Sequence, residues 1–172
     1  MKLSVELVPR PLWGKSLQQR LKDRVWRKLR AEAIARTNDR CDACGADPQK
    51  RRGRPLHVHE VWTYNDDKHV QTLVGLRPLC GTCSACTHFG RAGAMAAREG
   101  SIDLDALREH LARVNGIMRE QVQEHIGTAF DQWRIRSAGP TWRQDYGEYF
   151  ALLGADHPEA DQAAPITRGR SG

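Results

Sequence analysis

At 172 residues the chain has the length of one ordinary domain, and 40% hydrophobic with 28% charged residues excludes collagen-like and wholly disordered classes. No apolar run reaches the length of a membrane-spanning helix. Residues 1–6 carry no apolar core with a cleavage site, so no membrane is expected as a partner and a reducing cytoplasm is the expected compartment. The net charge of +6 is uneven: residues 1–54 hold 15 of the 27 Lys/Arg and 6 of the 21 Asp/Glu. Concentrated positive charge suits a polyanion such as nucleic acid, because each neutralised phosphate releases a condensed counterion. The alternative is a solvated basic face.

Residues 1–14 read as extended or irregular, with Pro9 and Pro11 on either side of Arg10. Ser16-Leu17-Gln18-Gln19 reads as a capping box. Leu21, Val25, Trp26, Leu29, Ala33 and Ile34 then recur at helical spacing, predicting one helix or two abutting ones over about 17–37 with a basic outer face. Residues 45–55 form a loop dense in Gly, Pro and cations, including Lys50, Arg51, Arg52 and Arg54, the candidate nucleic-acid contacts. Residues 56–62 predict a strand with His57 and His59 on one face and Leu56, Val58 and Glu60 on the other. A turn at 64–67 leads to a second strand over about 70–79. Helical sequence follows Cys83, and a helical hairpin follows that. Its first helix starts at 101–103, carries Leu104, Leu107, Leu111 and Val114, and stops at Asn115-Gly116. Its second carries Val122, Ile126, Ala129, Phe130 and Trp133. Trp142, Tyr146, Tyr149 and Phe150 are expected to dock on this hairpin, and the tail from Gly154 is expected to be disordered.

Five cysteines argue against a disulfide scaffold in this compartment. Their spacing argues for metal. Cys41-x2-Cys44 and Cys80-x2-Cys83 can each close a knuckle, and two knuckles complete a tetrahedral four-thiolate zinc site. Such a site has no open position, so the zinc would be structural. A hairpin between the pairs would bring the knuckles side by side, leaving Cys86 spare. Chemistry would then fall to His59 and His88. If a helix starts at Cys83, Ser84 and His88 share a face that can meet the strand carrying His59. One histidine would activate water and the other would help hold a divalent ion against a phosphate.

Cys41-Asp42-Ala43-Cys44-Gly45, His57-Val58-His59-Glu60-Val61-Trp62 and Leu73-Val74-Gly75-Leu76-Arg77-Pro78-Leu79-Cys80-Gly81-Thr82-Cys83 together resemble the HNH (His-Me finger) endonuclease superfamily, and more narrowly its small bacterial members with two zinc knuckles. The resemblance extends over about residues 6–145. It implies an α+β fold with a zinc-knuckled ββα-metal core, an N-terminal basic helix and a C-terminal helical hairpin. The expected divisions are a basic helical arm at 1–40, the core at 41–98, the hairpin extension at 99–153 and a tail at 154–172. It implies cleavage or nicking of DNA by metal-assisted phosphodiester hydrolysis. Structural Zn2+ would sit on Cys41, Cys44, Cys80 and Cys83; His59 would be the general base; His88 would hold catalytic Mg2+ or Mn2+, with His57 or Glu60 as a substitute ligand. Val58, Gly75 and Ser84 stand where the family pattern carries other residues. They keep a second reading open, that of a catalytically degenerate, zinc-stabilised nucleic-acid-binding module.

Overall fold

The computed structural model describes residues 1–47, 55–139 and 141–153. The basic quartet Lys50, Arg51, Arg52 and Arg54 and the 154–172 tail lie outside them. The capping box forms as read: Gln19 N donates to Ser16 Oγ, and Ser16 N donates to the Gln19 side chain. It opens helix α1 (Leu17–Arg20), and α2 (Asp23–Arg36) follows at once, so the 17–37 stretch is two abutting helices. Ala33 is buried and Val25, Trp26 and Leu29 are half-buried, while Arg24, Arg27 and Lys28 face solvent.

Strands β1 (His57–Asn65) and β2 (Val70–Leu79) pair antiparallel, from His57 opposite Leu79 to Asn65 opposite Val70. Val61 faces Gly75 but Trp62 faces Leu73, so Val74 is an extra residue on β2 and bulges out, 53% exposed. Cross-strand partners share a face. His59 therefore lies with Arg77 on one side, and Val58, Glu60, Trp62 and Tyr64 lie with Pro78, Leu76, Leu73 and Gln71 on the other. Helices α3 (Gly81–Thr87), α4 (Phe89–Glu99), α5 (Leu104–Asn115) and α6 (Arg119–Ala138) follow. Asp103 caps α5, donating no proton but accepting from Asp105 N and Ala106 N, and Gly116 ends it at φ +64. A short strand β3 (Arg143–Asp145) then pairs parallel with Val70–Thr72 of β2, giving a mixed α+β fold with the sheet order β1-β2-β3.

Two apolar clusters form. One gathers Leu3, Val5, Leu79, the cysteines, Phe89, Leu111, Val122 and Ile126. The other gathers Leu17, Leu21, Ala33, Leu73, Leu76, Tyr146 and Tyr149. The second corrects an expectation. The aromatic segment 142–150 does not dock on the α5–α6 hairpin. Tyr146 and Tyr149 pack with α1, α2 and β2, because β3 carries the chain back across the sheet; Trp142 keeps a link to α6, donating from Nε1 to Arg136 O at 3.1 Å. The turn after β3 needs Gly147: it sits at φ +54, and a Cβ there would lie 2.9 Å from Leu73 O.

The irregular N-terminal stretch is woven into the first cluster and is not a separate arm. Leu3 N donates to Asn115 Oδ1 and accepts back through its carbonyl, Val5 N donates to His125 Nε2, and Glu6 N donates to Thr87 O. Residues 3–6 thus strap α3, α5 and α6 together. Among the described residues no helix is long and apolar enough to cross a membrane.

Candidate metal centre and the adjoining cavity

The first knuckle is a turn closed by its own backbone. Gly45 N donates to Cys41 O at 2.8 Å and Cys41 N to Ala46 O at 3.0 Å. Asp42 seats this turn on the end of β2, its N–H donating to Pro78 O at 2.9 Å and its carboxylate accepting from Arg77 Nε at 2.6 Å. The second knuckle is the start of α3, with Cys80 at the cap position. Since the β1–β2 hairpin returns Leu79 opposite His57, the two knuckles meet.

The sulfur atoms of Cys41, Cys44, Cys80 and Cys83 all lie within 4.8 Å of one another, three of the residues buried and Cys44 half-buried. Hydrogen bonds from Cys80 and Cys83 push the Cys41 thiol down, whereas the hydrogen bond with Cys41 pushes Cys83 up and burial pushes Cys44 up. Four thiolates together require a cation, and the donor set fits a single tetrahedral metal ion with no open position. Cys86 stays outside the cluster. It is buried, its Sγ lies 3.5 Å from Leu107 O, and burial pushes its thiol up to about 12.

A cavity of about 410 Å³ lies between β1 and the segment running from Glu6 to Gln19. His59 lines it, with Nε2 2.8 Å from Glu6 Oε2 and its ring edge-on to His88, centroids 4.9 Å apart. The two histidines expected to meet are thus brought together. His88 is not within one continuous helix, however. It sits at the α3–α4 junction with φ −90 and ψ 43, while its N–H still donates to Ser84 O at 2.9 Å. Burial first, and then the charge of His59, push His88 down to about 4, so it is neutral at physiological pH. Lys15 and Arg91 add positive charge to the cavity lining. The floor is a closed polar chain: Gln71 Nε2 donates to Tyr64 Oη, Gln144 Nε2 donates to Gln71 Oε1 and to Lys15 O, and Tyr146 Oη donates to Gln144 Oε1.

Glu60, read as a substitute ligand for the divalent ion at the catalytic site, is engaged elsewhere. Its Oε2 accepts from Leu17 N at 3.0 Å and Trp62 Nε1 at 3.1 Å, and its Oε1 accepts from Gln18 N at 2.9 Å. Leu17 and Gln18 open α1, where backbone donors have no partner within the helix. Glu60 therefore anchors α1 to β1, with both oxygens engaged. His57 is exposed and does not line the cavity. Glu6 is the residue the sequence reading missed. Its signal was the alternation Leu3, Val5, Leu7, which marks an extended segment with Glu6 on the opposite side.

Among the described residues, the four cysteines are the one group of three or more His, Cys, Asp or Glu side chains gathered closely enough for a metal ion. The Mg2+ or Mn2+ expected at His88 thus finds no converging set of three donors among them. Comparison of the chain with family models, with curated proteins and with solved structures finds no match.

Proposed function

We propose that the four cysteines bind a structural zinc ion and that the chain is an HNH-like endonuclease, hydrolysing phosphodiester bonds of DNA in the cavity beside β1. The observation that carries this reading is the Glu6–His59 pair facing His88. His59 sits on the first strand of a β1–β2–α3 succession, with one cysteine pair ahead of β1 and the other where β2 passes into α3, the ββα order that the HNH resemblance implies. Zinc would cross-link the two knuckles and hold β1 against α3.

Glu6 accepts from His59 Nε2–H, which leaves Nδ1 as the basic atom and stabilises the imidazolium once it forms. His59 takes a proton from water as the water oxygen bonds to phosphorus. The bond from phosphorus to the leaving ester oxygen breaks, and that oxygen takes a proton from solvent. Lys15 and Arg91 offset the charge of the phosphate. Neutral His88 fixes the His59 ring through the edge-on contact. No step here runs through a second metal ion.

The test is nicking of a supercoiled plasmid by zinc-loaded protein, with and without added Mg2+ or Mn2+. Wild type is expected to nick, and His59→Ala to lose about 10²-fold or more with zinc content and DNA affinity unchanged. The second reading, a degenerate DNA-binding module, is favoured by Glu60 being fully engaged and by Val58 and Ser84 offering no imidazole or carboxylate. It predicts salt-sensitive DNA binding without nicking under any metal condition. Replacing Lys50, Arg51, Arg52 and Arg54 together should flatten the salt slope by up to about 4 units under either reading.

A further inference from the structure

Helix α5 reaches the cysteine cluster from outside it. His110 is 4% exposed and projects from α5 against α3. Its Nε2 lies 3.1 Å from Cys83 Sγ, and its Nδ1 lies 2.9 Å from a guanidinium nitrogen of Arg113, one turn further along α5. A guanidinium can only donate, so Nδ1 is the acceptor of that pair. The ring proton then sits on Nε2, and Nε2–H points at the sulfur. Cys83 is wholly buried, out of reach of bulk solvent.

We infer that His110 is a positioning residue of the metal centre: its Nε2–H donates a hydrogen bond to the Cys83 thiolate, Arg113 fixes the tautomer that makes this happen, and the helical hairpin thereby helps retain the metal. The chemical reason lies in the thiolates. Four of them around one divalent ion carry excess negative charge, and an N–H donor draws part of it away from sulfur. A sulfur relieved in this way is a poorer proton acceptor and leaves the metal less readily. A purely space-filling role would be better met by an apolar side chain, which has no polar atoms to desolvate. Both ring nitrogens of His110 instead have polar partners aligned in series. Outer-shell partners of this kind are typically worth 10–100-fold in metal affinity.

The inference rests on the metal reading of the four cysteines, and the experiment separates the two. Zinc content of the full chain is measured first. Zinc transfer to a chromogenic chelator is then followed for wild type and three variants, alongside the absorption spectra of their cobalt-substituted forms. His110→Phe keeps a ring and removes the donor. His110→Gln restores an amide N–H near the Nε2 position. Arg113→Ala removes an exposed side chain and leaves the core alone.

Zinc retention is expected to fall by roughly 10–100-fold in His110→Phe. The sulfur-to-cobalt charge-transfer band should shift to lower energy, because the thiolate lone pairs lose a hydrogen bond. His110→Gln should recover most of both effects, and Arg113→Ala should show a smaller loss of the same sign. Wild type that binds zinc, with retention and spectrum unchanged in His110→Phe and Arg113→Ala, would overturn this inference alone. So would a wild-type cobalt spectrum of three sulfurs and one nitrogen, since His110 would then be a ligand. Zinc-free wild type would overturn the metal reading as well. If His110→Phe does not fold, Arg113→Ala and His110→Gln carry the same test, and zinc retention equal to wild type in Arg113→Ala overturns the inference.

Discussion

Cys41 with Cys44, and Cys80 with Cys83, are each close in sequence, and a single hairpin brings the two pairs within 4.8 Å. The cavity on the β1 edge has no such local unit. Glu6 and His59 are 53 residues apart, and His88 arrives from the far side of the second knuckle. The cysteine cluster requires two tight turns and a strand pair, all set by short-range backbone bonds. The cavity requires those same elements plus the strap at residues 3–6 and the tie from Glu60 to α1. Damage to the metal centre should therefore reach the cavity, whereas damage to the cavity should leave the metal centre intact.

The sharpest way to break this asymmetry is Cys80→Ser. It should remove the metal and lower stability by on the order of 5 kcal/mol or more, because a structural site's binding energy is largely folding energy. Thermal unfolding beside metal analysis measures it. Cys86→Ser, three residues beyond Cys83 and outside the cluster, should keep full metal content. On the cavity side, Glu6→Gln should cut plasmid nicking by roughly 10-fold, less than His59→Ala, with zinc content unchanged. An equal loss of zinc in Glu6→Gln would mean that the two regions are one unit.

Acid should act on the cavity through His88. Its folded value, about 4, lies below the ordinary value of 6.5. The unfolded chain then binds the extra proton first, so this stabilising contribution is present above pH 6.5 and is lost as pH falls from 6.5 towards 4. The titratable and charged groups that act on His88 are His59, Glu6 and Arg91 in the cavity and, more weakly, His57 outside it. The loss should be on the order of 2–3 kcal/mol. Denaturant midpoints for wild type and His88→Gln check it, since His88→Gln should flatten the difference in this window. The smallest effect tests the sheet side alone. Gly147→Ala should cost roughly 1–2 kcal/mol, through the left-handed φ and the approach to Leu73 O, with no change in zinc content.

The same asymmetry explains what could be read from the sequence. The cysteine pairs, the two strands and the helical hairpin have local signatures, and the structure places each within a few residues of its reading. Residues 143–145 are too short for a periodic signal, so β3 was invisible, and with it the reason that Tyr146 and Tyr149 pack on the sheet. His59 and His88 were legible because one lies between the knuckles and the other five residues past the second, which limits where they can lie. Glu6 was not, since nothing local to it indicates which strand it will meet. Glu60 was legible as a polar residue on a buried strand face, but its partners Leu17 N and Gln18 N are backbone atoms, which no residue pattern announces.

The strap at the N-terminus also sets an order of events during synthesis. Leu3 N needs Asn115 Oδ1, Val5 N needs His125 Nε2 and Arg10 N needs Ser137 Oγ. None of these partners exists when residues 3–10 leave the ribosome. The two knuckles, complete at Cys83, can take up metal more than 50 residues earlier in the chain than Ser137. Glu6 itself is held earlier, its N–H on Thr87 O, but the segment around it is pinned at Val5 and Arg10 only once α6 has been made, so the most sequence-distant contacts close at the end. A nascent chain halted within α6 would hold all four cysteines and the partners of Glu6, with the strap still unpinned at Arg10, so any cleavage that depends on a fixed Glu6–His59 pair would be weakened until Ser137 has been made.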